Sequence, residues 1–253
     1  MSQPSKAIIL AAGVGSRLGP YTTDLPKTLL PVGDLTIFDR MVIGLDKIGV
    51  NDILVITGYA ASSLQSHALS FSTKAVQNRI RFEFIKNDNL DIGNIYSFWL
   101  ARNNMAEDFI LVNSDVVCHD GILELLSATQ YDSALLIDDR KHLGAEEMKV
   151  TVNDNGAIKE ISKNIDPLTA NGEYIGIMKI SPRVAAKVLE KVETLLSKHL
   201  YPLYYEDAFR LAAREEDCIF SCSTKGLPWT EVDTIDDMKY ARNIILPQIQ
   251  NVV

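Results

Sequence analysis

The residues most suggestive of chemistry are Gly13, Gly15, Ser16, Arg17 and Lys27, the last preceded by Pro26. Two glycines this close let the backbone curl with its N–H groups turned inward around a phosphate. Arg17 and Lys27 would bring cations to the same anion. The spacing excludes two common phosphate loops. A dinucleotide fingerprint places a third glycine where Leu18 stands, and a Walker loop needs Gly-Lys-Ser/Thr there. What remains is G-x-G-x-R-L, with Arg17 placed to reach the phosphates the loop surrounds.

Carboxylates supply the next candidates. Residues 109–115 read FILVNSD, so Asp115 stands just past a buried strand, a usual position for a Mg²⁺ ligand in an α/β site. A turn aspartate or the N-cap of the following helix is the alternative. In WTEVDT, Glu231 and Asp233 are two apart in an extended segment and share one face, unless Asp233 only caps the last helix.

Asn94 both donates and accepts, which suits the edge of a base. Tyr204, Tyr205, Glu206 and Asp207 set aromatics beside acids, and Trp229 lies close to Glu231 in sequence. That is the chemistry of ammonium recognition. Alternatively, the tyrosines pack on a sheet before a helix starting near Glu206. Glu173 either lines an acceptor pocket or is exposed at a strand start. Glu146, Glu147 and Lys149 are further pocket candidates, Lys149 for an acceptor phosphate.

The elements that must hold these residues follow from periodicity. Apolar runs predict strands at 6–12, 52–58, 80–85 and 109–113, alternating with helical patterns at 37–48, 60–71 and 95–105. This rhythm predicts an α/β fold with a doubly wound, mostly parallel sheet flanked by helices. Its ligands should sit at the carboxyl ends of strands, where residues 11–17 and 113–115 lie. Beyond residue 132, short strands at 133–137, 148–152, 157–161 and 174–178 predict a small β-rich part, with a hairpin turn at 153–156. Ser181-Pro182 starts a helix running to about residue 197, and Thr234 with Asp237 forms a capping box before a last helix. The organisation expected is a single domain over 1–253, with a first half to about 131, a second over 132–233 and a C-terminal helix over 234–253.

The 253 residues carry a net charge of −8 and are 47% apolar and 23% charged, as in an ordinary globular protein. A pI near 5.1 argues against a nucleic-acid partner. Cys118, Cys218 and Cys222 are odd in number and read as reduced thiols, the last two as strand cysteines rather than zinc ligands. The histidines His67, His119, His142 and His199 show no ligand spacing and read as surface or loop residues. With no secretory signal and no apolar run near ~20 residues, a cytoplasmic protein without membrane contact is expected. Homo-oligomerisation stays open.

Residues 6–18, KAIILAAGVGSRL, with residues 25–33, LPKTLLPVG, closely resemble the signature of nucleotidyltransferases that activate sugar phosphates and small alcohol phosphates. The resemblance implies transfer of a nucleotidyl group from an NTP to a phosphorylated acceptor, with pyrophosphate released. It implies that the half to about residue 131 binds the nucleotide and the half over 132–233 the acceptor. It implies that Ala11, Ala12 and Gly13 lie against the base and ribose. Gly15, Ser16 and Arg17 would hold the triphosphate, with Lys27 near the α-phosphate and the attacking phosphate. It also favours Asp115 and Asp233 as Mg²⁺ ligands. Residues 93–97, GNIYS, depart from the Gln and Gly-Thr pattern of the sugar-phosphate enzymes. They are similar to the N-x-Y-S form of cytidylyltransferases acting on phosphocholine and related amino-alcohol phosphates, which implies CTP as donor and Asn94 at the base. The same resemblance supports Tyr204, Tyr205 and Glu206 as an acceptor cage for phosphocholine, 2-aminoethylphosphonate or a similar compound. A sugar-1-phosphate uridylyl- or thymidylyltransferase and a non-catalytic nucleotide sensor are the alternatives. Intact Arg17, Lys27, Asp115 and Asp233 weigh against the sensor.

Overall fold

The structure is a computed structural model that describes residues 4–74, 79–199 and 201–250. In chain order, the first half comprises β1 (Lys6–Ala11), the short pair β2 (Pro31–Val32) and β3 (Leu35–Thr36), α1 (Ile37–Lys47), β4 (Asp52–Thr57), α2 (Ala61–Lys74), β5 (Arg81–Lys86), α3 (Asn94–Leu100), β6 (Phe109–Asn113), β7 (Val116–Cys118), α4 (Asp120–Ala128) and β8 (Ala134–Asp138). The second half adds β9 (Lys149–Val152), β10 (Ile158–Ser162), β11 (Gly172–Ile180), α5 (Pro182–Ser197), α6 (Tyr205–Glu215), β12 (Phe220–Ser223), β13 (Trp229–Glu231), α7 (Ile235–Tyr240) and α8 (Leu246–Gln250).

Parallel strands β5, β4, β1 and β6 form one side of the sheet in that order, with β5 at its edge. β1 and β6 are apolar almost throughout because helices cover both faces, as parallel sheets require. Ile8, Leu54 and Leu111 face α3, α5 and α6 across one core, whereas Ile9, Val55 and Val112 face α1, α2 and α4 across the other. The expected mostly parallel sheet flanked by helices is therefore present.

Its far side is mixed. β11, buried along all nine residues, runs antiparallel to β6 and pairs with both β8 and β9. The register of β11 against β8 shifts between Tyr174 and Met178, around Gly176 at φ +79°. A Cβ there would come within 2.9 Å of the Asn113 amide, so the glycine lets that side chain approach the sheet. Helix α3 is shorter than the 95–105 pattern predicts. It ends at Leu100, and a separate 3₁₀ turn follows over Arg102–Asn104, in a stretch whose paired asparagines are poor helix formers.

Both helix starts read from sequence are present. Ser181 accepts from the Val184 N–H, and Thr234 and Asp237 exchange the two bonds of a capping box. A third, smaller core joins Leu18, Val117, Val232, Met238 and Ile245, which pins the glycine loop to the C-terminal helices. Leu18, the residue that excludes the Rossmann and Walker spacings, is that loop's anchor. No described helix is long and apolar enough to cross a membrane.

Candidate active site

β1 delivers the chain to the carboxyl edge of the sheet, where Gly15 turns it at φ +68° into the 3₁₀ segment Ser16–Thr22. The Gly15 carbonyl accepts from Leu18 N–H and from the Thr22 hydroxyl at 3.0 Å, closing the loop on itself. A Cβ on Gly15 would lie 3.1 Å from the Cβ of Lys27, which begins a second 3₁₀ turn, Lys27–Leu29. The loop thus packs directly on the lysine.

Lys27 is the meeting point of the site. Its Nζ is 2.6 Å from Oδ2 of Asp115 and 2.6 Å from Oδ1 of Asp233. Arg17 donates to the other oxygen of Asp233 at 2.7 Å. Burial opposes the charge on Lys27, but the two aspartates overcome it and hold its pKa above the ordinary lysine range. Burial likewise works against ionised Asp233, yet Lys27 and then Arg17 keep its pKa below the usual carboxylate value. Neither aspartate serves as a helix cap. α4 is capped by His119, and Asp237 takes the Thr234 N–H at the start of α7. Both carboxylates are instead paired with Lys27.

The chemistry of this donor set fits a divalent cation. Oδ1 of Asp115 is buried without a hydrogen-bond partner among the described residues. No group of three or more metal-binding side chains occurs among those residues. Mg²⁺ at phosphate sites commonly takes only one or two carboxylates and completes its shell with water and phosphate oxygens. Glu231 faces the same centre. Burial, followed by the charges of Asp115 and Asp233, raises its pKa well above that of a free glutamate.

Beside this centre a cleft of about 250 Å³ opens between β1, β6 and α3, lined in part by Ala12, Gly13, Lys27, Asn87, Asn94 and Asp115. Ala11 turns into the core on the α1 side instead. Ser16 and Arg17 lie on the exposed rim, Arg17 with 67% of its side chain accessible. Asn94 opens α3, and its amide is already committed. Oδ1 accepts from the Tyr205 N–H at 2.8 Å and Nδ2 reaches Glu206 at 3.5 Å. Gly93 makes this junction possible, since a Cβ there would sit 2.1 Å from the Leu203 carbonyl.

The aromatic cluster divides. Tyr204 is half exposed, whereas Tyr205 is fully buried, with its hydroxyl on Asn113 and Tyr174. Tyr205 starts α6, and the helical turn carries its ring into the core rather than toward a ligand. Glu206 is buried behind Asn94, and burial pushes its pKa up to about 7. Glu173 instead stands opposite Asp138 across β11 and β8, and Trp229 and Glu231 share the short strand β13. Trp229 donates to Asp138 at 2.8 Å, and Glu173 accepts from Lys141 at 2.8 Å. Lys149 does not reach an acceptor phosphate. It is wholly buried, and its ammonium donates to the carbonyls of Gly144, Ala145 and Glu147.

Three residues at the site escape the sequence reading: Asn87, Asp138 and Lys141. Asn87 had a visible signal, an amide directly after a strand. Its side chain is fixed in the cleft wall by Ser97 at 3.0 Å and by the Asn89 N–H at 2.8 Å.

Comparison with known proteins points the same way. The chain is 28% identical over 92% of its length to the CTP:phosphoglutamine cytidylyltransferase of Campylobacter jejuni, covering 97% of that protein. It is 26% identical over 96% of its length to the bifunctional protein GlmU of Methanococcus aeolicus, of which it spans only 55%. Its fold superposes on the inositol-1-phosphate CTP transferase from T. maritima with a TM-score of 0.80 at 22% identity, covering 100% of this chain and 98% of that one. The sequence model of the nucleotidyl transferase family matches residues 6–146, more than half the chain and all of the loop, Lys27 and Asp115. With that match the chain belongs to the nucleotidyl transferase family.

Proposed function

We propose that the protein transfers CMP from CTP to a small phosphorylated or phosphonate acceptor bearing an ammonium group, such as phosphocholine or 2-aminoethylphosphonate. The observation that carries the reading is Lys27 seated between Asp115 and Asp233 at the mouth of the cleft. An acceptor phosphate is already an anionic nucleophile, so the reaction asks for cations and alignment rather than a general base. An oxygen of the acceptor attacks the α-phosphorus of CTP, the bond to the β-phosphate breaks, and pyrophosphate leaves with the electron pair.

In this reading the backbone of residues 13–15 cradles the triphosphate, and Ala12 and Gly13 leave room for the nucleoside. Lys27 draws the α-phosphate and the acceptor phosphate together, and Arg17 steadies the departing pyrophosphate. Mg²⁺ held by Asp115 and Asp233 would neutralise the phosphate oxygens. Asn94 and Asn87 stand where a base edge would be read. On the far side Glu173, Glu231 and Trp229 offer carboxyl oxygens and an aromatic face to the acceptor's cation.

The test is pyrophosphate release with each NTP against a panel of choline phosphate, aminoethylphosphonate and sugar 1-phosphates. CTP with an ammonium-bearing acceptor should lead. A preference for UTP or dTTP with a sugar phosphate would overturn the substrate assignment.

A further inference from the structure

The residues between β8 and β9 bring one more cation to the acceptor side. Lys141 Nζ lies 2.8 Å from Glu173, 3.5 Å from Glu147 and 5.7 Å above the centre of the Trp229 ring, within range of a cation–π contact. Asp138 organises both partners. One of its oxygens accepts the Trp229 indole N–H, and the other accepts the backbone N–H groups of Arg140 and Lys141. The walls are fixed by pairing, since Glu173 and Asp138 are registered opposite each other in β11 and β8. The lysine is not fixed in this way. Its side chain is 43% exposed, whereas that of Glu173 is only 7% exposed. Trp229 begins the strand that ends at Glu231, and that strand pairs with β7 so that Glu231 stands opposite Val116, the residue after Asp115, which places this box next to the reaction centre.

An aromatic face ringed by carboxylates with an ammonium lying in it is the geometry in which an organic ammonium binds. Here the chain supplies the ammonium itself. We propose that Lys141 is a stand-in for the acceptor's cation: it occupies a box for a small organic ammonium and swings out when one enters. The acid groups stay neutralised with the box empty of substrate, and an acceptor without a cation gains nothing by displacing the lysine. Lys141 therefore acts as a specificity-determining residue. The inference rests on the ammonium-bearing acceptor proposed above.

The experiment uses choline chloride as probe, with sodium chloride as the ionic control. Calorimetric titration should show Lys141→Met binding choline at least about threefold more tightly than the unaltered protein, because the internal competitor is gone. In the unaltered protein, saturating choline should speed acylation of Lys141 by an amine reagent, read by mass spectrometry, while exposed Lys159 is unaffected. Equal or weaker choline binding in Lys141→Met overturns the proposal, as does choline-independent labelling of Lys141 or no choline binding by either protein. The second arm needs no variant, so a folding defect in Lys141→Met cannot hide the answer. Turnover separates this inference from the one beneath it. If choline frees Lys141 but no ammonium-bearing phosphate is consumed, the stand-in holds and the acceptor reading falls. If phosphocholine is consumed and choline leaves Lys141 in place, the reverse is true.

Discussion

The Nζ of Lys27 lies 2.6 Å from Oδ2 of Asp115, residues 88 positions apart in the chain. With Asp233 at the same distance on its other side, two of the ammonium's donors are spent on carboxylates and a third remains for phosphate. Lys27→Ala should lower kcat by at least ~10²–10³-fold, the cost of removing one charge stabiliser from such a centre. Steady-state kinetics with CTP checks this, and circular dichroism should show an unchanged fold. A near-normal kcat would remove Lys27 from the reaction.

Asp115 has a buried oxygen with no partner among the described residues. If that oxygen serves Mg²⁺, adding Mg²⁺ with CTP should raise the melting temperature of the protein, since a ligand at 100 times its Kd contributes about 2.7 kcal/mol. Asp115→Asn should lose most of that rise and nearly all turnover. An equal thermal shift in the variant would count against the metal role.

Arg17 shares Asp233 with Lys27 but is 67% exposed. Exposed cations contribute less and are screened by salt. Arg17→Ala should raise KM for CTP by roughly tenfold, a loss of about 1.4 kcal/mol, with a smaller fall in kcat than Lys27→Ala. Raising the salt should narrow its deficit, which a KM series at several ionic strengths would show.

Glu206 gives a pH signature. Burial raises its pKa to about 7 in the folded protein, above that of an exposed glutamate. Between the two values the folded state binds the extra proton, so its stabilising effect is complete below the unfolded pKa and fades as pH rises toward 7. Glu206→Gln removes this titration. Its stability relative to the unaltered protein should therefore improve between pH 4.5 and pH 7, by on the order of 1–3 kcal/mol. Urea unfolding at several pH values measures the slope, and parallel curves for the two proteins would contradict it.

Much of the site was legible because it follows local rules. A continuous apolar run ending in glycines announces β1 and its loop, and FILVNSD does the same for β6 and Asp115. Asp233 was marked by its spacing from Glu231 and singled out by the family resemblance, with helix capping as the competing reading. The acceptor side was harder. β7 and β13 have three residues each, too few for a periodic signal, yet their pairing sets Glu231 opposite Val116, beside Asp115. Asp138 meets Trp229 across 91 positions of chain, and Lys141 lies over the same ring, which no spacing records. Tyr204 and Tyr205 looked equivalent in sequence. The first turn of α6 separates them, one toward solvent and the other into the core.

The central claim is nucleotidyl transfer to an ammonium-bearing phosphate at the Lys27–Asp115–Asp233 centre. The most direct measurement is ³¹P NMR of the protein with CTP, Mg²⁺ and phosphocholine or 2-aminoethylphosphonate. The triphosphate signals should give way to pyrophosphate and to a new CMP–acceptor species in equal amounts, and Lys27→Ala should yield neither. An unchanged triphosphate spectrum with every NTP and acceptor supplied would contradict it.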